Sequence, residues 1–299
     1  MATHPLRVLS LCSGYGGLDL AVKRVFPSAR TLCYVEREVS AVRVLASRMA
    51  EGSLDSAPVW DDVSTFDPAP WVVCVDLVVA GFPCQPHSVA GKREGTADHR
   101  WPVWDDIIRI AKSCAARSVF LENVPGLLTS SGGASIAKVR QDLDDAGFTD
   151  QSACVLGARD VGASHKRDRL FILAHAKGVR DAWWSKAEAE RQGVISRGVA
   201  LAHAKCTGLE GWQAECRIHQ RQAIERGGYG IFAPGPDADW SAIAPRFWPA
   251  TAQPALRRVA DGVAGRLDLS RADRLRLLGN GVVPLQAAIA LKYLLSKEL

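Results

Sequence analysis

The sequence predicts an α/β fold with a doubly wound core, in which helices cover both faces of one sheet. In the N-terminal half, short apolar runs alternate with amphipathic stretches of helical length, which is typical of strands joined by crossover helices. The run 72–80 is almost entirely apolar, as expected of a strand buried on both faces. With 299 residues, 47% of them hydrophobic, the chain can bury a large core, and disordered and fibrous classes are excluded.

The elements of the N-terminal half follow one another regularly. Strands are predicted at 7–12, 31–35, 72–80, 118–122 and 169–174. Helices are predicted at 18–26, 39–49, 104–116 and 136–146. Gly52 and Gly147 follow two of these helices, where glycine commonly ends a helix. We interpret this half as parallel strands with helical crossovers.

The C-terminal part is organised differently. Beyond residue 176 the periodicity fades into loops rich in Gly, Trp and Pro, and helical patterns return at 256–267, 271–278 and 285–295. We therefore expect a core at 1–175, an irregular region at 176–255, and helices at 256–299 that complete the core. The irregular region is rich in basic residues and tryptophan, which suits a phosphate-lined partner, although a solvated insertion fits equally well.

The composition also limits the cellular compartment and the kinds of partner to be expected. No apolar run approaches the roughly 20 residues that span a bilayer, and the polar N-terminus lacks a signal-peptide core. Eight cysteines without a CxxC pair are typical of free thiols in a reducing compartment. We expect a cytoplasmic protein without a membrane partner. The net charge of +5 is too mild to establish a polyanionic partner by itself.

A glycine-rich segment, SGYGGL at 13–18, directly follows the first predicted strand, and Glu36 ends the second. A glycine turn lets the backbone approach a nucleotide-like ligand, and an acid about 20 residues later can accept hydrogen bonds from ribose hydroxyls. The pattern favours a nucleotide-like cofactor. The alternative is a tight strand-to-helix turn with a solvated Glu36.

Two further motifs follow predicted strands: GFPCQP at 81–86 and LENVP at 121–125. Ligands of parallel sheets bind beyond the carboxyl ends of strands, so Cys84 and Glu122 are expected to face one crevice. A thiolate at Cys84 would be a nucleophile, and a Glu122 whose pKa is raised by burial could exchange a proton with a ring nitrogen. A buried inert cysteine and a helix-capping acid are the alternatives.

A basic segment, HKRDR at 165–169, leads into the last predicted strand. Alternate residues of an extended segment point to one side, so His165, Arg167 and Arg169 are expected to project together. Arginine suits a phosphate or a base carbonyl. A surface charge run is the alternative.

The order of these motifs, ending in GNGVVP at 279–284, resembles the compact bacterial and phage DNA (cytosine-5)-methyltransferases over residues 6–175 and about 255–295. The resemblance implies a Rossmann-like, S-adenosylmethionine-dependent core with a target recognition region at 176–255. It implies that Cys84 attacks C6 of a flipped cytosine and that Glu122 contacts N3 and the exocyclic amine. Arg169 would bind the O2 atom, with Arg167 beside it.

The resemblance also implies a set of cofactor-binding residues. They are Ser13, Gly14, Tyr15, Gly16, Gly17, Leu18, Glu36, Asp62, Val63, Pro83, Val103, Asn280 and Val282. Two positions depart from the family pattern. Cys12 stands where an aromatic residue is usual, so that Tyr15 or Trp60 would have to pack on adenine. Ser164 and His165 replace the usual Pro-Gln pair.

The expected partner is double-stranded DNA, bound by a monomer. The alternatives are a tRNA cytosine-5 methyltransferase and a catalytically silent DNA-binding homologue. The candidate DNA contacts in the recognition region are Arg180, Lys186, Arg191, Arg197, Arg217, Arg221 and Arg226. The spacing of His203, Cys206, Cys216 and His219 is compatible with tetrahedral zinc, but we favour local packing, because the family requires no metal.

Overall fold

The computed structural model describes residues 4–83, 101–163, 165–180, 182–183, 185 and 269–296. Seven strands within these ranges form one sheet of order β3-β2-β1-β4-β5-β7-β6. They are β1 (Arg7–Leu11), β2 (Arg30–Val35), β3 (Val59–Trp60), β4 (Leu77–Gly81), β5 (Ser118–Asn123), β6 (Asp150–Gly157) and β7 (Asp168–His175). The helices are α1 (Gly17–Val25), α2 (Val39–Ala50), α3 (Trp101–Ser113), α4 (Ala134–Asp145), α5 (Arg271–Asn280) and α6 (Pro284–Leu295).

The sheet is buried on both faces, which explains why its central strands are almost purely apolar. Val78 and Ala80 of β4 pack with α3 and α4, whereas the alternate residues Leu77 and Val79 pack with α1 and α6. The two faces of β4 therefore contribute side chains to two separate hydrophobic core clusters. The doubly wound α/β class is confirmed.

The sheet is mixed rather than wholly parallel, which corrects the interpretation of the strands as parallel. β1 to β5 run parallel, but β7 is antiparallel to both β5 and β6. The sequence prediction did not include β6. Only ten residues separate it from β7, too few for a helical crossover, so the two strands form a hairpin.

The predicted strand 72–80 begins later than its apolar pattern suggests. Val73 has φ of 54° and is exposed, which breaks the extended conformation, and β4 starts only at Leu77. Just before it, Asp76 accepts hydrogen bonds from the backbone and the guanidinium of Arg7. This ion pair fixes the start of β4 beside the start of β1.

The C-terminal helices return to the sheet after the residues outside the described ranges. α6 packs along α1, and Leu291, Leu294 and Leu295 are fully buried. The stretch Ala272–Leu295 is long and apolar enough to span a membrane by composition, but it consists of two helices interrupted at 281–283. The predicted helix at 256–267 lies outside the described residues. So does the boundary near 255, and the predicted domain division stays a prediction.

Candidate active site

The candidate site lies at the topological switch point of the sheet. β1 and β4 are neighbours whose following helices cover opposite faces of the sheet, and a crevice opens beyond their carboxyl ends at such a point. Because β7 is antiparallel, it contributes its first residues, Asp168 and Arg169, to this same edge. The hairpin therefore explains how a basic motif at the start of a strand meets an acidic motif at the end of another.

A cavity of about 480 Å³ occupies this edge. Its volume falls in the range of small-molecule sites. Six of the residues predicted from sequence line it: Gly14, Glu36, Pro83, Glu122, Arg169 and Asn280. The other lining residues are Cys12, Arg37, Glu38, Ala41, Gly81, Phe82, Asn123, Val124, Arg276, Leu277, Gly279 and Gly281.

One end of the cavity is formed by the glycine loop after β1. Gly14 has φ of 55°, and its α-carbon faces open space, so the backbone is accessible there. Its N–H donates to Oε2 of Glu36 at 2.7 Å, and Oε1 of Glu36 accepts from the N–H of Glu38 at the same distance. Each carboxylate oxygen keeps a free lone pair after these bonds. Glu36 is thus held rigidly at the cavity with acceptor capacity to spare.

Cys12 begins this loop in an unusual conformation, with φ of 48°. Its side chain lines the cavity, and burial raises the pKa of the thiol to about 12. It is therefore a protonated, apolar wall group. Tyr15, which could have packed on a ligand ring in place of the missing aromatic, points elsewhere: its hydroxyl donates to the carbonyl of Val282 at 2.5 Å. Trp60 does not line the cavity either.

The other end of the cavity holds a buried ion pair. Nε of Arg169 lies 2.7 Å from Oε1 of Glu122, with 15% and 8% of the two side chains exposed. Arg169 also donates to the carbonyl of Asp168, which fixes its guanidinium. Burial raises the pKa of Glu122 to about 7, although the charges of Arg169 and Arg167 oppose the shift. A glutamate in this position can carry or release a proton near neutral pH.

Asn123 is a residue of this site that the sequence prediction did not include. Its Nδ2 donates to the carbonyl of Phe82 at 3.2 Å, and its Oδ1 accepts from the N–H of Val124. It therefore ties the end of β5 to the turn after β4, immediately before Pro83. The available signal was its place beside Glu122 at the end of a buried strand, where a polar side chain needs a partner.

Arg167 reaches the wall of the cavity from outside. Its guanidinium donates to the carbonyl of Gly279 at 2.7 Å and to the carbonyl of Gly281. It does not line the cavity, in contrast to Arg169. As expected, Arg167 lies close enough to His165 and Arg169 for their charges to interact. The two arginines nevertheless bind different partners: Arg169 pairs with Glu122, and Arg167 donates to the C-terminal turn.

Several other predicted cofactor residues do not line the cavity. Ser13 bonds to the backbone of Ser10 and Val35, and Asp62 accepts from the N–H and hydroxyl of Ser64. Gly17 lies against Val282, where a Cβ would be 2.7 Å from its carbonyl oxygen. The remaining members of this group are Gly16, which caps α1, and the core residues Leu18, Val63 and Val103.

Some predicted residues lie outside the described ranges. Cys84 is among them, as are the candidate zinc residues His203, Cys206, Cys216 and His219. Of the candidate DNA contacts, the structure describes Arg180, and it belongs to the core. Its guanidinium pairs with Asp150 at 2.7 Å and donates to the carbonyl of Leu294. It is a structural residue, which corrects its inclusion among the DNA contacts.

The fold and the cavity define an α/β protein with a cavity at the topological switch point of its sheet. The family C-5 cytosine-specific DNA methylase matches residues 6–199, and the chain belongs to that family.

Two relatives illustrate the range of similarity. Type II methyltransferase M.Eco47II of Escherichia coli is 31% identical over 174 residues, which cover 58% of this chain and 40% of the relative. Type II methyltransferase M.NlaX of Neisseria lactamica is 30% identical over 167 residues, which cover 56% and 51%. The chain spans about half the length of the curated relatives it matches, or less.

Solved structures support the fold. The DNMT2 mutant from Spodoptera frugiperda has a TM-score of 0.57 at 15% identity and covers 97% of this chain and 100% of its own. The S. pombe Dnmt2 methyltransferase has a TM-score of 0.52 at 19% identity, covering 97% and 98%. At these identities the likeness concerns the fold alone.

Proposed function

We propose that this protein is a DNA cytosine-5 methyltransferase that uses S-adenosylmethionine. The observation that carries the proposal is the buried Glu122–Arg169 pair, which shares one cavity with the glycine loop and Glu36. A site for an ionisable ring and a site for a nucleotide-like cofactor are thus adjacent. Family membership and the Type II methyltransferase relatives support the choice of cytosine in DNA.

The residues present fit the cofactor. The open backbone at Gly14 permits close approach, and Glu36 retains lone pairs for two ribose hydroxyls. Phe82 and Pro83 supply an apolar wall. When bound, S-adenosylmethionine supplies an electrophilic methyl group.

The buried pair suits the recognition of a cytosine ring. A protonated Glu122 donates to N3, and Arg169 donates to O2, so that both stabilise the negative charge that develops when a nucleophile adds to C6. Protonation requires a pKa near neutrality, and burial raises the pKa of Glu122 to about 7. An exposed glutamate would be ionised and would repel the electron-rich N3.

Cys84 is the proposed nucleophile. It follows Pro83, a lining residue of the cavity, in the chain. Attack of its thiolate on C6 would make C5 nucleophilic towards the methyl group, whose bond to the sulfonium would break and leave a neutral thioether. Loss of the C5 proton would then expel the thiolate and restore the ring. The base has to leave the helix stack first, at a cost of a few kcal/mol. The recognition region is assigned to 176–255, the partner is double-stranded DNA, and the working form is a monomer.

The proposal is tested by base-resolution cytosine methylation sequencing of DNA from a methylation-deficient bacterial host. The host expresses the wild type, Cys84→Ala, or Cys33→Ala as a matched control. Cys33 is a buried cysteine of β2 that does not line the cavity. A short motif methylated by the wild type and by Cys33→Ala, but not by Cys84→Ala, is the expected result.

Other outcomes contradict the proposal. Equal methylation by wild type and Cys84→Ala would remove Cys84 as the nucleophile. No methylation of DNA by soluble wild-type protein would reject DNA as the substrate, and methylation of purified tRNA would then identify the RNA enzyme. Specific DNA binding without methylation of either nucleic acid would identify a silent homologue.

A further inference from the structure

Arg167 occupies a position that the proposed reaction does not use directly. It belongs to the basic segment before β7, yet its guanidinium contacts α5 and the residue that follows it, more than 100 positions away in the chain. Its partners are the carbonyls of Gly279 and Gly281. The last carbonyls of a helix lack intrahelical donors and carry the negative end of the helix dipole. A guanidinium placed there satisfies them and is electrostatically favoured.

Gly279 and Gly281 belong to a turn, residues 279–282, that also contacts the glycine loop. The hydroxyl of Tyr15 donates to the carbonyl of Val282, and Gly17 lies against the backbone of that residue. The ring of Tyr15 covers Gly281 so closely that a Cβ there would lie 1.7 Å from Cε1. The turn is therefore held between the glycine loop and Arg167.

The residues just after the turn are also bonded to the sheet and to Arg167. Gln286, fully buried at the start of α6, donates from Nε2 to the carbonyls of Leu156 and Arg167 at 2.6 and 2.8 Å. The backbone and the side chain of Arg167 thus both contact the C-terminal segment. Charge-assisted hydrogen bonds are stronger than neutral ones, so the guanidinium is the strongest of these attachments.

The turn matters because it forms a wall of the cavity. Gly279, Asn280 and Gly281 line the same cavity as the Glu122–Arg169 pair. We infer that Arg167 is a positioning residue for the methyl donor: by holding the turn 279–282 against Tyr15, it shapes the cofactor half of the cavity and does not contact the target base. The inference rests on the proposed function, since it names which half of that site Arg167 serves.

The test measures the Kd of S-adenosylmethionine by titration calorimetry on the full chain, together with kcat and KM for methyl transfer to DNA. Arg167→Met removes both hydrogen bonds and keeps an unbranched side chain, whereas Arg167→Lys retains a charge and one donor at a time. Arg169→Met is the matched control. Thermal unfolding without cofactor verifies that each variant is folded, and Arg167→Lys serves if Arg167→Met does not fold.

We expect Arg167→Met to raise the Kd of S-adenosylmethionine at least tenfold and Arg167→Lys to give an intermediate value. Arg169→Met is expected to leave this Kd within about twofold while reducing kcat. A general loss of structure would not produce this split.

An Arg167→Met variant that binds S-adenosylmethionine like the wild type but has lost kcat would overturn the inference, because Arg167 would then act on the base. If the wild type itself binds no S-adenosylmethionine, the proposed function fails and the inference fails with it. The two failures are distinguished by the wild-type titration.

Discussion

Nε of Arg169 lies 2.7 Å from Oε1 of Glu122, and both side chains are buried at the edge where β5 ends and β7 begins. Burial nevertheless raises the pKa of Glu122 to about 7, because the cost of burying the carboxylate exceeds the help from the guanidinium. Glu122 is therefore present in both its protonated and its ionised form near neutral pH. This balance determines how methyl transfer should depend on pH.

The first prediction concerns that pH dependence. Only protonated Glu122 can donate to N3, so kcat/KM for methyl transfer is expected to fall as the pH rises through about 7. A nucleophilic thiol titrates in the opposite sense, which makes the profile bell-shaped. Glu122→Gln is expected to lower kcat/KM by roughly 100-fold or more and to abolish the decline on the alkaline side.

The measurement is the rate of methyl transfer to DNA between pH 6 and 9 with subsaturating substrate. Glu51→Gln, at an exposed glutamate just beyond α2, is the control and should reproduce the wild-type profile. An alkaline decline that persists in Glu122→Gln would assign it to a different group.

The second prediction concerns Glu36. Its two carboxylate oxygens accept from the N–H groups of Gly14 and Glu38, so it shapes the loop as well as offering lone pairs to a ligand. Glu36→Gln replaces one acceptor by a donor, which confronts a backbone N–H. We expect the Kd of S-adenosylmethionine to rise by roughly tenfold or more, as calorimetry would measure. Wild-type affinity in this variant would remove Glu36 from the cofactor site.

The third prediction uses two glycines of the same turn. At Gly281 a Cβ would lie 1.7 Å from Cε1 of Tyr15 and 2.7 Å from the carbonyl oxygen of Leu277, so Gly281→Ala is expected to lower the free energy of unfolding by about 1–3 kcal/mol. At Gly279 a Cβ meets nothing within 4 Å. Because alanine favours a helix, Gly279→Ala should be neutral or stabilising by up to about 1 kcal/mol.

Urea unfolding of the two variants decides this prediction. The comparison is internal, since both substitutions add one methyl group two residues apart. Equal free energies of unfolding would mean that Tyr15 moves away without cost.

The fold and much of the site could be predicted from local sequence patterns. Apolar runs revealed the strands, since a sheet covered on both faces needs continuous apolar sequence. The motifs containing Gly14 and Glu122 follow such runs, and the structure brings them to the same cavity. The rule that parallel strands end at one edge was sufficient for this.

The remaining features depend on contacts distant in sequence. The direction of β7 was not evident, because an apolar run is equally compatible with parallel and antiparallel pairing. The partners of Tyr15 and Arg167 lie 267 and at least 112 positions away. No local pattern distinguishes an arginine that faces a ligand from one that caps a remote helix, and it was the family resemblance alone that distinguished Arg169 from Arg167.

The last prediction concerns a buried histidine far from the cavity. His175 ends β7, and its Nδ1 lies 2.6 Å from Oγ of Ser118, while its ring packs edge-on against Trp183. The side chain is fully buried, and burial, with the charge of Arg180, lowers its pKa to about 4. The folded protein therefore holds His175 neutral at a pH where the unfolded chain is already protonated.

The difference in proton binding between the folded and unfolded states determines the sign of this pH dependence of stability. The unfolded state binds more protons than the folded state between the two pKa values, so the contribution of neutral His175 is complete above about pH 6.5 and is lost as the pH falls towards 4. A difference of this size corresponds to about 3 kcal/mol.

His175→Asn keeps a polar atom near Ser118 but does not titrate. We expect the wild type to lose its advantage in free energy of unfolding over this variant between pH 7 and 4. Parallel pH curves for the wild type and His175→Asn would show that folding does not lower the pKa of His175.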